Sequence, residues 1–386
     1  MLKSDLTVLR ELGQKLKAVQ KTIVRSRYGN LLGLLEVEVQ EPAITALAQY
    51  YDPLLRCLTF GDFQLVPTFE EFSQILDMPT NNMMPYQHLE QPFSVYTLFE
   101  IMKISVKELK KEFVELYDIK GFVLSFLERH LHRLCEEESW DAYMDVLALA
   151  LFGVMLFPKA DSFVDDAAIK VSLVFKTRAE NPAILADTYI ALDQCHSGKR
   201  RLIVCCLPAL FVWLIARFEE RVVGIKCLVE SVKQQGLEIK GANEWAQCLA
   251  GLTQKKIQWQ PAWQQKTRLV YQYSKKVNVP LIGTKGCNNY NPVLAQRQFG
   301  YPIAGAPIFV VLEPLLVLYE EGSSVEILPE LRRAWNKMVI QGKDTRPWTM
   351  NSEISYERWL MERFRMVKLP FKLCVPEVPK EGLEQE

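Results

Sequence analysis

Basic and aromatic side chains are interleaved in one acid-free stretch of the 386-residue chain. Residues 245–312 contain no Asp or Glu, whereas eight Lys and Arg residues occur there. Cationic side chains neutralise phosphates, and aromatic rings stack on unpaired bases. The stretch therefore supplies candidate contacts to nucleic acid or to a protein partner: Lys255, Lys256, Trp259, Lys266, Arg268, Tyr271, Lys275 and Lys276.

The same stretch also has a purely structural interpretation. Trp259 and Trp263 lie four residues apart on either side of Pro261, and both rings can pack into the core while the lysines stay solvated. Residues 60–170 carry 19 acidic and 9 basic residues, although the whole chain has zero net charge. Such asymmetry is typical of a nucleic-acid face or of two lobes that attract each other, but charges scattered over a surface also produce it.

Sequence patterns for catalysis or metal binding are missing. The chain has no phosphate-binding glycine loop, no dinucleotide fingerprint, no zinc-protease helix motif and no nucleophile elbow. His130 and His132 are two residues apart, so on a helix they point in different directions. Cys195-His196 and Cys205-Cys206 could supply four zinc ligands, but the paired spacing of tetrahedral zinc sites is absent. We expect no catalytic residue, cofactor site or metal site, and we keep an enzyme with an unfamiliar site as an alternative.

Hydrophobic periodicity predicts the elements that would position these residues. Residues 1–25 form an amphipathic pattern, which predicts a single N-terminal helix. Residues 56–66 alternate in part, so we expect a strand or hairpin that turns at Gly61-Asp62. Thr68 is placed to cap a helix whose first turn contains Glu70 and Glu71.

The middle of the chain predicts further helices. Ser105 and Glu108 have the spacing of a capping box, and an apolar stripe continues from there to Tyr117. Residues 122–135 resume a helix, and the almost entirely apolar stretch 140–157 predicts a buried one. Pro, Gly and Asn are so dense in residues 280–292 that turns, with little regular structure, are expected there.

Composition favours a folded protein in a reducing compartment. The nine cysteines are odd in number and irregularly spaced, as expected for free thiols. The N-terminus lacks an apolar leader segment, and the longest uncharged run, residues 202–216, is too short to span a membrane. We therefore expect a soluble intracellular protein.

The patterns together predict a mainly α fold: a large helical globular domain with a few short strands or hairpins. We expect residues 1–25 to form the N-terminal amphipathic helix and residues 26–372 to form the domain. That domain has a possible division into two lobes near residues 159–180. The Pro- and Glu-rich residues 373–386 predict a disordered tail.

Four groups of residues recur in a recognisable order along residues 25–370. The first is Tyr50-Tyr51-Asp52-Pro53 with Phe60, Phe63, Thr68, Phe69, Phe72, Leu76 and Pro79. The second is residues 181–189 with Cys205-Cys206 and Val212-Trp213-Leu214. The third is residues 278–283 with Tyr290-Asn291-Pro292 and residues 297–302. The fourth is Tyr356, Trp359, Arg363 and Leu369-Pro370.

In this order the four groups resemble the plant mobile domain family, and most closely its legume-expanded, retrotransposon-associated relatives of unknown function. Two positions depart from that pattern. Asp77 stands where the broader family usually has Gly, and Asn288-Asn289 stand where a more apolar pair is expected.

The resemblance implies a mostly helical fold of its own and an origin in transposable elements. It also implies a nuclear role for some relatives, in silencing and genome maintenance. An aminotransferase-like label accompanies the family, but this chain lacks a lysine with an Asp or Arg set suited to pyridoxal phosphate. The resemblance thus favours a non-enzymatic interaction domain, in the nucleus rather than the cytoplasm. Its partner would be a protein, with nucleic acid as the alternative, and its oligomeric state is left open.

Three residues of these groups have an expected structural role. Arg297 lies in the acid-free stretch, and if it is buried its guanidinium needs acceptors, such as backbone carbonyls or a distant carboxylate. This favours a structural role for Arg297 over contact with a ligand. Trp213 and Trp359 are expected to anchor the core.

Overall fold

The computed structural model describes residues 6–78, 95–116, 118–175, 182–218, 227–259, 269–273, 278–301, 303, 305–307, 315–319, 328–335, 337–341 and 354–367. The helices in these ranges are α1 (Thr7–Gln14), α2 (Ala18–Tyr28), α3 (Leu31–Leu35), α4 (Glu41–Ala48), α5 (Phe69–Ile75), α6 (Val95–Met102), α7 (Val106–Glu112), α8 (Leu124–Glu136), α9 (Trp140–Leu151), α10 (Asp166–Phe175), α11 (Pro182–His196), α12 (Leu207–Phe218), α13 (Leu228–Gln234), α14 (Ala242–Ala250), α15 (Leu328–Trp335) and α16 (Tyr356–Phe364).

The strands in the same ranges are β1 (Tyr51–Asp52), β2 (Cys57–Thr59), β3 (Gln64–Leu65), β4 (Phe113–Leu116), β5 (Ile119–Val123), β6 (Phe163–Asp165), β7 (Leu269–Tyr273), β8 (Val279–Ile282), β9 (Gly286–Tyr290), β10 (Leu316–Leu318) and β11 (Met338–Gln341). They form three antiparallel sheets of three strands, ordered β1-β2-β3, β4-β5-β6 and β10-β9-β8, and one antiparallel pair, β11-β7.

The predicted mainly α class, with only a few short strands or hairpins, is wrong. Although helices supply most of the regular structure, eleven strands in four small sheets accompany them in the described residues, so the fold is mixed α and β. Most of the strands outside the predicted hairpin at residues 56–66 escaped the sequence analysis because the longest have five residues. Runs this short barely establish the two-residue alternation that identifies a strand.

The first sheet and the helix that follows it match their predictions. β2 and β3 form the expected hairpin, with Leu58 paired to Leu65. Thr68 caps α5, because its side chain accepts a hydrogen bond from the Glu71 backbone N–H. The Glu71 carboxylate accepts one from the Thr68 backbone N–H in return, over 3.0 Å. The cap therefore fixes the direction in which the chain leaves the sheet.

The N-terminal segment contains two helices, α1 and α2, where one was predicted. The chain is extended at Lys17, which separates them. Leu9 and Leu12 of α1 are buried, and the Tyr143 hydroxyl of α9 donates to the Leu12 carbonyl over 2.7 Å. Because the axis bends between them, α1 and α2 can both lie along α9.

The middle of the chain departs from the prediction at one place. Ser105 caps α7 as expected, but the helix ends at Glu112 and the apolar stripe continues as strand β4. Gly121 lies within β5, where a β-carbon would stand only 2.1 Å from the Val164 carbonyl oxygen. The predicted helices that follow are present as α8 and as α9, and a π-helical turn extends α9 to Leu156.

One continuous cluster of buried apolar side chains joins the elements from α1 to α15. Helix α12 lies inside it, with every residue from Pro208 to Arg217 buried. No helix within the described ranges has both the length and the apolar character needed to cross a membrane. The predicted tail, residues 373–386, lies outside the described residues.

Candidate functional site

Few of the eight predicted basic and aromatic contacts have described side chains. Lys255 and Lys256 are exposed in a 3₁₀ turn, and the Lys256 ammonium donates to the Gly251 carbonyl over 3.1 Å. Tyr271 lies in strand β7. The remaining four lie outside the described residues: Lys266, Arg268, Lys275 and Lys276.

Trp259 is partly buried and held on several sides. Its ring lies edge-on to Phe63, with centroids 6.1 Å apart, and its indole N–H donates to the Gln254 carbonyl over 3.0 Å. The Arg297 guanidinium lies 4.1 Å from the Trp259 ring centroid and donates to the Gln254 side-chain oxygen over 2.8 Å. A base could stack on that face of Trp259 only by displacing Arg297.

Trp213 belongs to a buried polar cluster centred on Glu71. Both side chains are fully buried, and the Trp213 indole N–H donates to the Glu71 carboxylate over 3.0 Å. The Gln298 amide donates to the same carboxylate over 3.2 and 3.3 Å. Arg217, also fully buried, forms an ion pair with it. A buried carboxylate is tolerated only when such donors and a counter-charge surround it.

The Glu71 cluster extends to two further segments. The Arg217 guanidinium donates to the Gln258 carbonyl over 2.8 Å and to the Trp259 carbonyl over 3.2 Å. The Gln298 side-chain oxygen accepts a hydrogen bond from the Val66 N–H, and the side-chain nitrogen donates one to the Val66 carbonyl. Each bond spans 2.8 Å, so Gln298 pairs with Val66 as a neighbouring strand would. Helices α5 and α12, the segment with Trp259 and the 3₁₀ turn Pro292–Phe299 are therefore joined by one set of polar contacts.

A second buried carboxylate, Asp187 of α11, holds the turn between β8 and β9. It accepts from the Thr284 N–H over 2.9 Å, from the Thr284 hydroxyl over 2.5 Å and from the Lys285 N–H over 3.3 Å. A β-carbon on Gly283 would stand 2.2 Å from a carboxylate oxygen of Asp187, so glycine is required there. Burial raises the pKa of Asp187, and nearby Lys285 opposes the rise.

A third buried carboxylate, Asp52 of β1, binds the C-terminal helix α16. Two nitrogens of Arg363 donate to its two oxygens over 2.5 and 2.6 Å. The Tyr356 hydroxyl donates to the Gln64 side chain over 3.0 Å, in the same sheet. Trp359 is half-buried, and its ring lies 5.8 Å from that of Tyr356.

The four groups of residues that carried the family resemblance thus contact one another. Asp52 of the first group binds Arg363 of the fourth, and Trp213 of the second reaches Glu71 in the capped helix of the first. Tyr189 of the second stacks on Tyr290 of the third, with centroids 6.0 Å apart. Most of these contacts are buried, so they account for the residue types without a ligand.

The cysteine and histidine residues considered for zinc do not form a ligand set. Cys205 and Cys206 are buried, and burial raises the pKa of each thiol to about 12. Throughout the part of the chain that the structure describes, no three His, Cys, Asp or Glu side chains are grouped to hold a metal ion.

A groove of about 810 Å³ lies between residues 36–45 and residues 232–242. We call it the acidic groove. Its floor contains the buried side chains of Val37, Phe211 and Val232. Its walls carry partly exposed Val39 and Leu237, together with Ile239, which is 84% exposed. The volume falls within the range of ligand-binding clefts.

Gln40 joins the two walls of the acidic groove. Its side-chain nitrogen donates to the Glu238 carbonyl over 2.9 Å. Its side-chain oxygen accepts from the Lys240 N–H over 3.0 Å and from the Trp245 indole over 2.8 Å. The groove is therefore preformed by contacts within the chain.

Carboxylates surround the acidic groove. Glu36, Glu38 and Glu41 line one wall, and Glu238 belongs to the other segment. None of the four forms an ion pair with a described residue. Exposed Ile239 and these carboxylates give the groove an apolar interior and a negative rim.

The sequence analysis missed the acidic groove. Its walls lie mainly in two segments that each connect a pair of helices. These two segments are 195 residues or more apart in sequence, and only the fold brings them together. The available signal was the alternation Glu36-Val37-Glu38-Val39, a strand-like pattern in a segment that joins no sheet.

The family model for a domain of unknown function, DUF7745, matches residues 9–365. Comparison with curated proteins and with solved structures gives no match. The matched range contains the buried carboxylates of Asp52, Glu71 and Asp187, all four sheets of the described residues and both walls of the acidic groove. The chain therefore belongs to the DUF7745 family.

Proposed function

We propose that this chain is a non-enzymatic interaction domain that binds a segment of a partner protein in the acidic groove. One observation carries the proposal: the groove is held open by Gln40, has an apolar floor and places Ile239 almost fully in solvent. An exposed apolar side chain beside a preformed cleft is typical of an interaction surface.

The use of the buried carboxylates supports a structural rather than a chemical role for them. Asp52, Glu71 and Asp187 each accept several hydrogen bonds from distant parts of the chain. A general acid or base must instead reach a substrate and exchange its proton. The alternative of an enzyme with an unfamiliar site thus gains no support from these three groups.

The resemblance to the plant mobile domain family adds an origin and a location to the proposal. Residues of all four groups support the relationship, and Asp77 fits it although it replaces Gly. Its φ of 54° lies in the left-handed region that glycine adopts most easily and Asp or Asn next. We therefore propose a transposon-derived domain that acts in the nucleus, linked to silencing or genome maintenance.

A photo-crosslinking amino acid at position 239 tests the groove proposal. We expect it to capture a partner protein in plant nuclear extract, whereas the same residue at position 19 should not. Val19 is also aliphatic and is 72% exposed, but it lies on α2, away from the groove. The captured protein is then purified and its affinity is measured by calorimetry.

Ile239→Asp should weaken that affinity, and Val19→Asp should leave it unchanged. Equal affinities for the two variants would contradict the proposal.

Nucleic-acid binding through residues 245–312 is a separate hypothesis that a salt titration of a labelled oligonucleotide tests. Two results would favour nucleic-acid binding: the logarithm of the affinity falls linearly with the logarithm of the salt concentration, and binding is lost in the double variant Lys255→Ala/Lys256→Ala.

A further inference from the structure

We infer that the acidic groove recognises an extended peptide segment that carries Lys or Arg together with apolar residues. This inference rests on the proposed function of the groove and adds the chemistry of its occupant. Three features of the described residues support it: the charge of the rim, the free main chain of the walls and the apolar side chains beside the carboxylates of one wall.

The charge of the rim selects for cations. Glu36, Glu38 and Glu41 have no cationic partner among the described residues, and of the two lysines that line the groove only Lys233 is paired with a described carboxylate. The Lys233 ammonium lies 3.6 Å from the carboxylate of Glu230. The Lys240 ammonium lies 5.3 Å from the centre of the Trp245 ring. An acidic segment would meet unneutralised carboxylates, and a basic one would pair with them.

The walls offer main-chain hydrogen bonds. The backbone groups of Glu38, Val39 and Ile239 make no hydrogen bond to a described residue. The chain is extended at Gln40, with φ −86° and ψ 96°, directly before α4. An extended peptide can add to such a segment as a strand, and helical peptides cannot use these groups in this way.

Acidic and apolar side chains lie next to one another along one wall. Glu36, Val37, Glu38 and Val39 follow one another in sequence, and Val37 is buried whereas Glu38 is exposed. A matching peptide therefore presents basic residues to the carboxylates and apolar residues to the valines.

A phage-displayed library of random peptides, selected on the full chain, tests the inference. Peptides that also bind E36Q/E38Q/E41Q are removed by counter-selection. We expect the remaining peptides to carry Lys or Arg together with apolar residues. Synthetic fluorescein-labelled copies of these peptides then serve as probes in anisotropy titrations.

The triple substitution should weaken binding of such a probe by roughly tenfold, since each exposed ion pair contributes modestly. The matched control is E136Q/E137Q/E138Q, which removes the same charge from an exposed part of the chain outside the groove and should leave the affinity unchanged. Gln keeps the size of Glu at solvated positions, so the fold of both variants should persist, and circular dichroism checks this.

The possible results separate the two proposals. Selected peptides that are acidic or uncharged, yet lose affinity for Ile239→Asp, would overturn the basic occupant and retain the groove as a binding site. Peptides whose affinity is unaffected by Ile239→Asp, or no enriched peptide at all, would overturn both. Equal losses in the two triple variants would show a non-specific charge effect and would also overturn the inference.

Discussion

Asp52, Glu71 and Asp187 are buried carboxylates with different partners. Glu71 and Asp52 each face an arginine, whereas Asp187 is held mainly by the backbone and hydroxyl of a turn. Removing one member of a buried ion pair leaves the other member charged and desolvated. The three positions should therefore respond differently to the same loss of charge.

Glu71→Gln should destabilise the fold strongly, because Arg217 would stay buried without a counter-charge. We expect the free energy of unfolding to fall by about 3 kcal/mol, measured by urea denaturation. Adding Arg217→Met should restore part of the loss. The control, Glu36→Gln at the groove rim, should change the free energy of unfolding by less than about 0.5 kcal/mol. Equal effects of Glu71→Gln and Glu36→Gln would contradict the structural role of the buried ion pair.

Asp187→Asn should change how stability depends on pH. Burial raises the pKa of Asp187 above its unfolded value, so its favourable contribution is complete below the unfolded pKa and is lost as pH rises through the folded pKa. The wild-type free energy of unfolding should therefore fall from about pH 4 towards neutrality more steeply than that of Asp187→Asn. Urea titrations at several pH values measure both slopes, and identical slopes would rule this role out.

At the scale of elements, local signals were predictable and non-local ones were not. The Thr68 cap and the hairpin of β2 and β3 depend on residues close in sequence, and both were found as expected. The hairpin of β8 and β9 was predicted as turns because Pro, Gly and Asn are dense in residues 280–292. The Asn288 amide donates to the Ala186 carbonyl over 2.9 Å, a buried contact 102 residues away that no local pattern reveals.

The candidate site shows the same limit. Trp213 lies in the core as its type predicts, whereas Trp359 is only half-buried against it, and the polar partner of Trp213 left no signal in the sequence. The walls of the acidic groove were equally hidden, because Gln40 and Lys240 are 200 residues apart. Residue type predicts whether a side chain is buried, whereas the identity of its hydrogen-bond partner depends on the completed fold.

Helix α16 is attached to the first sheet through the two-pronged contact of Arg363 with Asp52. Arg363→Lys keeps the charge but loses the planar fork, so α16 should detach more often. We expect faster amide hydrogen exchange in α16, equivalent to a loss of about 1.5–3 kcal/mol. Arg358→Lys, in the same helix but 76% exposed, should leave exchange unchanged. Similar exchange in the two variants would contradict the attachment.

At the scale of the whole molecule, one apolar cluster joins elements from both ends of the matched range. Polar contacts across more than 200 residues reinforce it, such as those between Gln298 and Val66. The N-terminal and C-terminal parts of the described chain therefore share this interior.

The described elements should therefore unfold in a single transition. Tryptophan fluorescence and far-ultraviolet circular dichroism should give the same midpoint in a urea titration, because Trp213 and the helices share one core. Two resolved transitions would instead indicate lobes that unfold independently, as a division near residues 159–180 would require.

The contact between Asp52 and Arg363 also has a consequence for synthesis on the ribosome. Asp52 of the first sheet is polymerised 311 residues before Arg363, the residue that neutralises it. At typical elongation rates of about 5–20 residues per second, that delay lasts roughly 15–60 seconds. During this interval the nascent N-terminal half exposes apolar surface, so chaperones that bind growing chains should recognise it.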